Sequence, residues 1–224
     1  MLEISNLKKS YQQPVLVDIN LSVKKGEFVG ILGENGCGKS TLIEIIAGAL
    51  EADGGEILIN GISAFQNKKI FSQYIGYVPQ ENPLIEELTV KDNLKLWYCF
   101  GNRNLKEDFE QGPPAMLGLK EVQTKRAGNL SGGMKKRLSI ACALACNAPI
   151  LLLDEPSAAL DMICKADIHQ YLNYYIKNGG TVIMTSHEES EISLCSRLYI
   201  MKKGCLQEVS NTLRGEELIL AIKN

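Results

Sequence analysis

The sequence predicts an α/β fold: a largely parallel central sheet flanked by helices, an antiparallel β part near the N-terminus, and a helical subdomain over about residues 80–145. Three observations predict it. Ile150-Leu151-Leu152-Leu153 and Val182-Ile183-Met184 are apolar without alternation, the pattern of strands buried on both faces, which belong to parallel sheets covered by helices. Segments of helical periodicity separate these runs, and alternating strands and helices build a parallel sheet. The N-terminal strand-like runs, by contrast, are closely spaced and divided by turn residues, which suits antiparallel pairing.

Taken in order, residues 2–7, 15–23 and 27–32 read as strands, with turn residues Gln12-Gln13-Pro14 and Lys24-Lys25-Gly26 between them. A glycine-rich loop follows and leads into a helix over 40–49. Asp53-Gly54-Gly55 and Asn60-Gly61 bracket Glu56-Ile57-Leu58-Ile59, a hairpin strand. Residues 75–78 form a short strand stopped by Pro79. From Thr89 to about Leu119 the pattern is helical, with a loop at 110–114, and Ser131 opens a helix that runs to about Cys146. The strand 150–153 precedes a helix over 161–177, the strand 181–185 and a short helix. A strand at 198–201, a Lys202-Lys203-Gly204 turn and a helix over 215–222 complete the chain. With no internal repeat, heptad pattern or low-complexity tract, residues 1–224 read as one domain.

Composition narrows the function. Apolar residues make up 45% and charged residues 22%, which fits a folded protein and excludes disorder. A net charge of -2 supplies no basic field to hold nucleic acid by its backbone, so no nucleic-acid partner is expected. The most apolar stretch, 138–153, is broken by Ser139, Asn147 and Pro149 and is too short to span a bilayer. Met1-Leu2-Glu3-Ile4 lacks the basic start and apolar run of a signal peptide. Any membrane association is therefore expected to come through a partner. Seven cysteines at scattered spacing, none in a C-x-x-C pair, read as reduced thiols of a cytosolic protein. Cys142 and Cys146 stand one helical turn apart, but without further ligand types nearby they read as small apolar core residues.

Three motifs carry chemistry. Gly33-Glu34-Asn35-Gly36-Cys37-Gly38-Lys39-Ser40-Thr41 fits G-x-x-x-x-G-K-[ST] between a strand and a helix. Glycines let the backbone curl so that successive N–H groups face phosphate oxygens, and the helix adds its positive dipole end. Lys39 is expected to reach the β- and γ-phosphates of a nucleotide and Ser40 to ligate Mg²⁺. Cys37, beside Lys39 at a helix start, is expected to have a lowered thiol pKa. The second motif is Ile150-Leu151-Leu152-Leu153-Asp154-Glu155-Pro156. It delivers two carboxylates to the C-terminal end of a buried strand, where ligands sit in open α/β sheets. Asp154 suits Mg²⁺, directly or through water, and Glu155 suits a general base for an attacking water. The third is Leu130-Ser131-Gly132-Gly133-Met134, whose helix-capping serine and glycines leave N–H groups open for a second anion.

Together these motifs make the chain resemble an ATP-hydrolysing subunit of the ABC-transporter family, over essentially its whole length. The resemblance implies a P-loop NTPase core, ATP as the ligand and Mg²⁺ as its ion. In that likeness Gly33, Asn35, Gly36, Cys37, Gly38, Lys39, Ser40 and Thr41 cradle the phosphates, and Tyr11 stacks on adenine. Ser40, Gln80 and Asp154 serve the metal. Gln80, in Tyr77-Val78-Pro79-Gln80, also couples to the membrane partner, and His187, after the strand 181–185, contacts the γ-phosphate. Ser157-Ala158-Ala159-Leu160-Asp161 matches the loop that crosses to a second subunit. Leu88-Thr89-Val90-Lys91-Asp92-Asn93-Leu94 matches the entry to the family's helical subdomain. Family members work as head-to-tail pairs, in which Ser131, Gly132 and Gly133 of one subunit close on ATP held by the other. The resemblance thus implies an ATP-dependent homodimer and a separate membrane-spanning permease, at the inner face of the cell membrane.

Departures refine the likeness. Met134 stands where the family commonly has glutamine, and with Lys135-Lys136-Arg137 it resembles cassettes of drug and polysaccharide exporters. Cys142 replaces a usual arginine, Ala159 a frequent glycine and Ser196 a common aspartate. Export is favoured over import by Met134 and by the lack of an additional C-terminal regulatory domain. A chromosome-organising ATPase with the same signature would need coiled coils between Lys39 and Ser131, and no heptads occur there. A ribosome-associated factor of the family would carry two fused cassettes. A GTPase reading fails because Asn67-Lys68-Lys69-Ile70 lacks the aspartate of the base-recognition motif.

Overall fold

The computed structural model describes residues 1–158 and 160–223. The chain opens with β1 (Leu2–Ser10) and β2 (Pro14–Val23), an antiparallel pair, and then enters β3 (Phe28–Leu32). The glycine-rich loop leads into α1 (Lys39–Ile46). β4 (Gly54–Ile59) and β5 (Ile62–Ser63) form a hairpin on Asn60 and Gly61, whose φ values of 51° and 78° suit the tight turn that Asn-Gly favours. A short helix, α2 (Lys69–Tyr74), runs directly into β6 (Ile75–Val78).

The helical part follows with α3 (Val90–Tyr98), α4 (Leu105–Gln111), α5 (Pro113–Met116) and α6 (Gly132–Ala143). Thr89 caps α3: its Oγ1 accepts from the Asp92 amide (3.1 Å) and donates to the Asp92 carboxylate (2.6 Å). The loop predicted at 110–114 shrinks to the break at Gly112, because Pro113 and Pro114 sit in the first turn of α5, where proline loses no hydrogen bond. The predicted helix from Ser131 to Cys146 is α6 with Ser131 as its cap, and it ends a few residues earlier than the sequence suggested.

β7 (Ile150–Asp154), α7 (Met162–Lys177) and β8 (Thr181–Thr185) complete the parallel core. α8 (Glu189–Ile192), β9 (Arg197–Lys202), β10 (Cys205–Val209) and α9 (Gly215–Lys223) close the described chain. β5, α2 and β10 are elements that the sequence reading did not assign. β10 turns back from β9 through Lys203 and Gly204, whose φ values are 48° and 74°, and Gly204 carbonyl accepts from Val17 N at 2.8 Å. That junction welds the two halves of the sheet together.

The sheet order is β5-β4-β1-β2-β10-β9-β3-β8-β7-β6. Strands β9, β3, β8, β7 and β6 run parallel, and β5, β4, β1 and β2 are antiparallel. The absence of alternation in β7 now has its physical cause. Leu151 and Leu153 face a core shared with α3, α6 and α7, while Ile150 and Leu152 face the core under α1. Leu42, Ile43, Ile45 and Ile46 of α1 are fully buried between the parallel and antiparallel parts. Each stabilises by about 1.5–3 kcal/mol relative to an exposed side chain, which fixes the helix that begins at Lys39.

Candidate active site

The phosphate loop leaves β3 at Leu32 and enters α1 at Lys39, so its position is set by two buried elements. Gly36 and Gly38 have φ values of 78° and 109°, the left-handed region that only glycine enters without strain. A Cβ on Gly38 would stand 2.9 Å from Val15 Cγ1, so glycine also permits the close approach of β2. Lys39 is buried, and its ammonium donates to the carbonyls of Gly33 (2.9 Å) and Glu34 (3.0 Å), which closes the loop into a ring. Asn35, Gly36, Gly38, Lys39, Ser40 and Thr41 line a cleft of about 390 Å³, and Val15, Gln80 and Glu155 complete its wall.

The carboxylates arrive on β7. Asp154 is paired in register with Thr185 of β8, and Thr185 Oγ1 donates to Asp154 Oδ1 at 2.5 Å. The same hydroxyl accepts from Glu155 N at 3.0 Å, and Thr185 carbonyl accepts from that amide at 3.2 Å. These bonds hold Glu155 at a φ of 44°, a conformation that costs a non-glycine residue on the order of 1–3 kcal/mol. The turn swings the Glu155 side chain out of the strand direction and over the cleft. There Gln80 Nε2 donates to Glu155 Oε2 at 3.2 Å, and His187 Nε2 lies 3.2 Å from Glu155 Oε1. One carboxylate is thus held between a residue just past β6 and another just past β8.

Thr185 was not singled out from the sequence, although a threonine ending an apolar strand in register with an acidic one is a readable signal. Lys136 was also missed, because three consecutive cations give no sign of which one is buried. Its spacing from Gly133 and Ile140 puts it on the buried stripe of α6. Lys136 is buried and donates to the carbonyls of Pro79 (3.0 Å) and Gln80 (2.9 Å). Burial pushes its pKa down to about 8, against the opposing pull of Asp154 and Glu191.

Other expected residues stand apart from the cleft. Tyr11 lies in the bend between β1 and β2, 60% exposed, with the Lys9 ammonium 5.7 Å above its ring. Ser131 caps α6 by accepting from Met134 N at 3.3 Å, and it is exposed together with Gly132. Gly133 is buried where a Cβ would lie 2.3 Å from Cys164 Sγ, so only glycine fits between α6 and α7. These signature residues do not line the phosphate cleft of their own chain. Of the loop 157–161, Ala159 lies outside the described residues, Ser157 is buried, and Asp161 caps α7 by accepting from Cys164 N at 2.8 Å.

One expectation is corrected. Cys37 does not have a lowered pKa: burial raises it, and this outweighs the lowering by Lys39. Its sulfur is turned toward Gly33, 2.8 Å from where a Cβ there would sit, and Cys37 packs against the core under α1. The thiol fills space beneath the loop while the loop's backbone faces the cleft.

The donor set fits magnesium. Among the described residues no cluster of three or more His, Cys, Asp or Glu forms a metal cage. Mg²⁺ needs none, since it is usually held by one or two side-chain oxygens together with substrate phosphates and water. Ser40 and Gln80 line the cleft. Thr185 engages Asp154 Oδ1, and Asp154 Oδ2 has no hydrogen-bond partner among the described residues.

A strand–loop–helix anion cradle, a buried aspartate and a glutamate held beside it form a nucleotide-hydrolysing centre, and similarity to known proteins identifies its family. A family model described as ABC transporter matches residues 16–158. The chain belongs to the ABC-transporter ATPase family. It is 36% identical over 208 residues to the linearmycin resistance ATP-binding protein LnrL of Bacillus subtilis (strain 168), covering 91% of this chain and 67% of that protein. It is 34% identical over 212 residues to the Nod factor export ATP-binding protein I of Rhizobium sp. (strain N33), covering 91% and 68%. A spermidine/putrescine import ATP-binding protein, PotA of Mycoplasma mycoides, is 35% identical over 218 residues, covering 93% and 61%. The chain therefore spans about two thirds of the length of these relatives. A solved dimeric ATP-binding cassette in a post-hydrolysis state with ADP and Pi superposes with a TM-score of 0.85 at 32% identity, covering 96% of this chain and all of that one. The ATP-binding subunit of another ABC transporter superposes with a TM-score of 0.88 at 26% identity over the whole of both chains. This ABC ATPase therefore binds and hydrolyses ATP. No helix among its described residues is long and apolar enough to cross a membrane.

Proposed function

We propose that this chain powers export through a separate membrane permease by ATP-driven, head-to-tail dimerisation of two copies. The observation that carries the reading is the separation of the exposed Ser131-Gly132 cap from the phosphate cleft of the same chain. Each half of an ATP site lies on one molecule, so a second copy must bring the missing half. Residues 1–224 act as one unit, with about 80–145 as the helical subdomain that presents Ser131. The resistance and export proteins among its relatives favour export, and Met134 supports the same direction; the importer relative makes direction a matter for experiment.

The mechanism follows from the residues. The loop N–H groups and Lys39 bind the phosphates, Tyr11 covers the adenine, and His187 meets the γ-phosphate. Ser40, Gln80 and Asp154 would hold Mg²⁺, which would neutralise phosphate charge. Glu155, oriented by Gln80 and His187, takes a proton from the attacking water. Ser131, Gly132 and Gly133 of the second copy close the site, and hydrolysis removes the ATP that joins the copies. The permease docks at the apolar groove that Pro83, exposed Ile85, Leu96 and Trp97, and Phe100 at 82% exposure form, which begins three residues beyond Gln80 in the chain. Such a permease keeps the protein on the cytoplasmic face of the membrane.

The test is complementation between two dead variants. Ser131→Arg should bind ATP and not hydrolyse it, and Lys39→Ala should lose both. Their mixture should regain roughly a quarter of wild-type turnover, since half of randomly paired dimers carry one intact site of two. Normal hydrolysis by Ser131→Arg alone would overturn the composite site.

A further inference from the structure

Lys136 contacts the catalytic segment from the helix that Ser131 caps. It lies five residues beyond Ser131 on α6, 3% exposed, and its ammonium donates to the Pro79 and Gln80 carbonyls at 3.0 and 2.9 Å. Those carbonyls belong to chain that has just left β6, whose pairing with β7 ends at Val78. An ammonium has three donors on a flexible stem and can engage both at once. Gln80 then projects its side chain to Glu155 Oε2. Neighbouring contacts reinforce the attachment. Lys135 pairs with Glu86 at 2.6 Å, and Gly76 of β6 packs so closely on α6 that a Cβ would meet Ala143 carbonyl at 2.4 Å. Among these contacts, only that of Lys136 falls on the residue that touches Glu155.

We infer that Lys136 is a positioning residue for hydrolysis: it ties the Ser131-bearing helix to the backbone of Gln80, so that the pose of α6 sets the aim of Gln80 at Glu155 in the same subunit. This rests on the composite-site reading for the role of Ser131, and on geometry alone for the link to Gln80.

The experiment places Lys136→Met in either member of the complementing pair. The single working site of that dimer uses the phosphate loop, Gln80 and Glu155 of the Ser131→Arg copy and the signature loop of the Lys39→Ala copy. With Lys136→Met in the Ser131→Arg copy, turnover should fall at least tenfold; in the Lys39→Ala copy it should fall less than twofold. Equal losses from both placements would mean general damage to α6 and would overturn the inference. In the homodimer, which tests the link to Gln80 independently of complementation, Lys136→Met should lower kcat tenfold or more. The KM for Mg-ATP should stay within twofold, and Lys136→Arg, which keeps two donors, should restore at least half the rate. If the methionine variant melts far below wild type, Lys136→Gln replaces it, with a threefold or larger loss of kcat expected. Unchanged kcat in the folded variant, or a loss confined to KM, would remove Lys136 from this role. Failure of the unmodified pair to complement would count against the composite site and leave the homodimer result to decide on Lys136.

Discussion

Glu155→Gln separates the general base from the scaffold that holds it. The carboxamide has nearly the shape of the carboxylate, and the strained backbone is unaffected because Thr185 holds it through the Glu155 amide. Two things change. The side chain can no longer accept a proton from water at neutral pH, and its amide nitrogen becomes a donor facing Gln80 Nε2 or His187 Nε2, each 3.2 Å from the present oxygens. Proton transfer by a positioned base is worth about 10²–10⁴ in rate, or roughly 2.7–5.4 kcal/mol of barrier at 1.36 kcal/mol per decade. ATP binding should persist, since the cradle of Gly36, Gly38 and Lys39 does not depend on the Glu155 charge. The assay is phosphate release under saturating Mg-ATP, with nucleotide affinity measured alongside and assembly followed by size-exclusion chromatography. We expect turnover to drop by ~10²–10⁴ and an ATP-bound dimer to accumulate. Turnover within threefold of wild type would refute the assignment of Glu155 as base. Loss of ATP binding would refute the view that the carboxylate acts on water and leaves the phosphates to the loop.

Two further outcomes follow from the site and its surroundings. Tyr11→Ala should weaken ATP binding by ~1–3 kcal/mol, by analogy with base–aromatic stacking, while Tyr11→Phe should be nearly silent in the same titration; equal weakening by both would contradict stacking. Glu191 is buried and accepts from Ser186 Oγ; burial raises its pKa above the usual carboxylate value, against the lowering by that hydrogen bond. Because the unfolded chain releases this proton first, stability should fall as pH rises from about 4.5 toward the raised folded pKa. Glu191→Gln should flatten that slope in melting curves, and an unchanged slope would show that Glu191 does not titrate on unfolding.

The sequence by itself determined the local chemistry and the order of the parts. Contiguous residues write the phosphate loop, because a glycine-bound turn between a strand and a helix is specified within nine positions, 33–41. Buried strands were legible for the same reason: Ile150 to Leu153 face a different core on each side of the sheet, so every position must be apolar. Short elements were not legible. β10 exists because β9 offers it an edge, and β5 is two residues of pairing on β4; neither has a periodicity long enough to read. Cys37 shows the limit of arguing from neighbours in sequence. Lys39 lies two residues away, yet the side of the loop on which the sulfur packs decides its pKa.

Only the tertiary structure decided how distant groups converge. Gln80, Glu155 and His187 come from segments after three different strands, and sheet order alone brings their side chains together. The placement of Thr185 against the Asp154 carboxylate and the Glu155 amide depends on the register between β7 and β8, which no spacing in the chain encodes. In sequence Lys136 is one of three consecutive cations, and only the packing of α6 on β6 buries it against two carbonyls fifty-six and fifty-seven residues away. A motif is local because its backbone geometry is local. A catalytic constellation is long-range because the sheet, built from burial spread over the whole chain, sets the distances among its members.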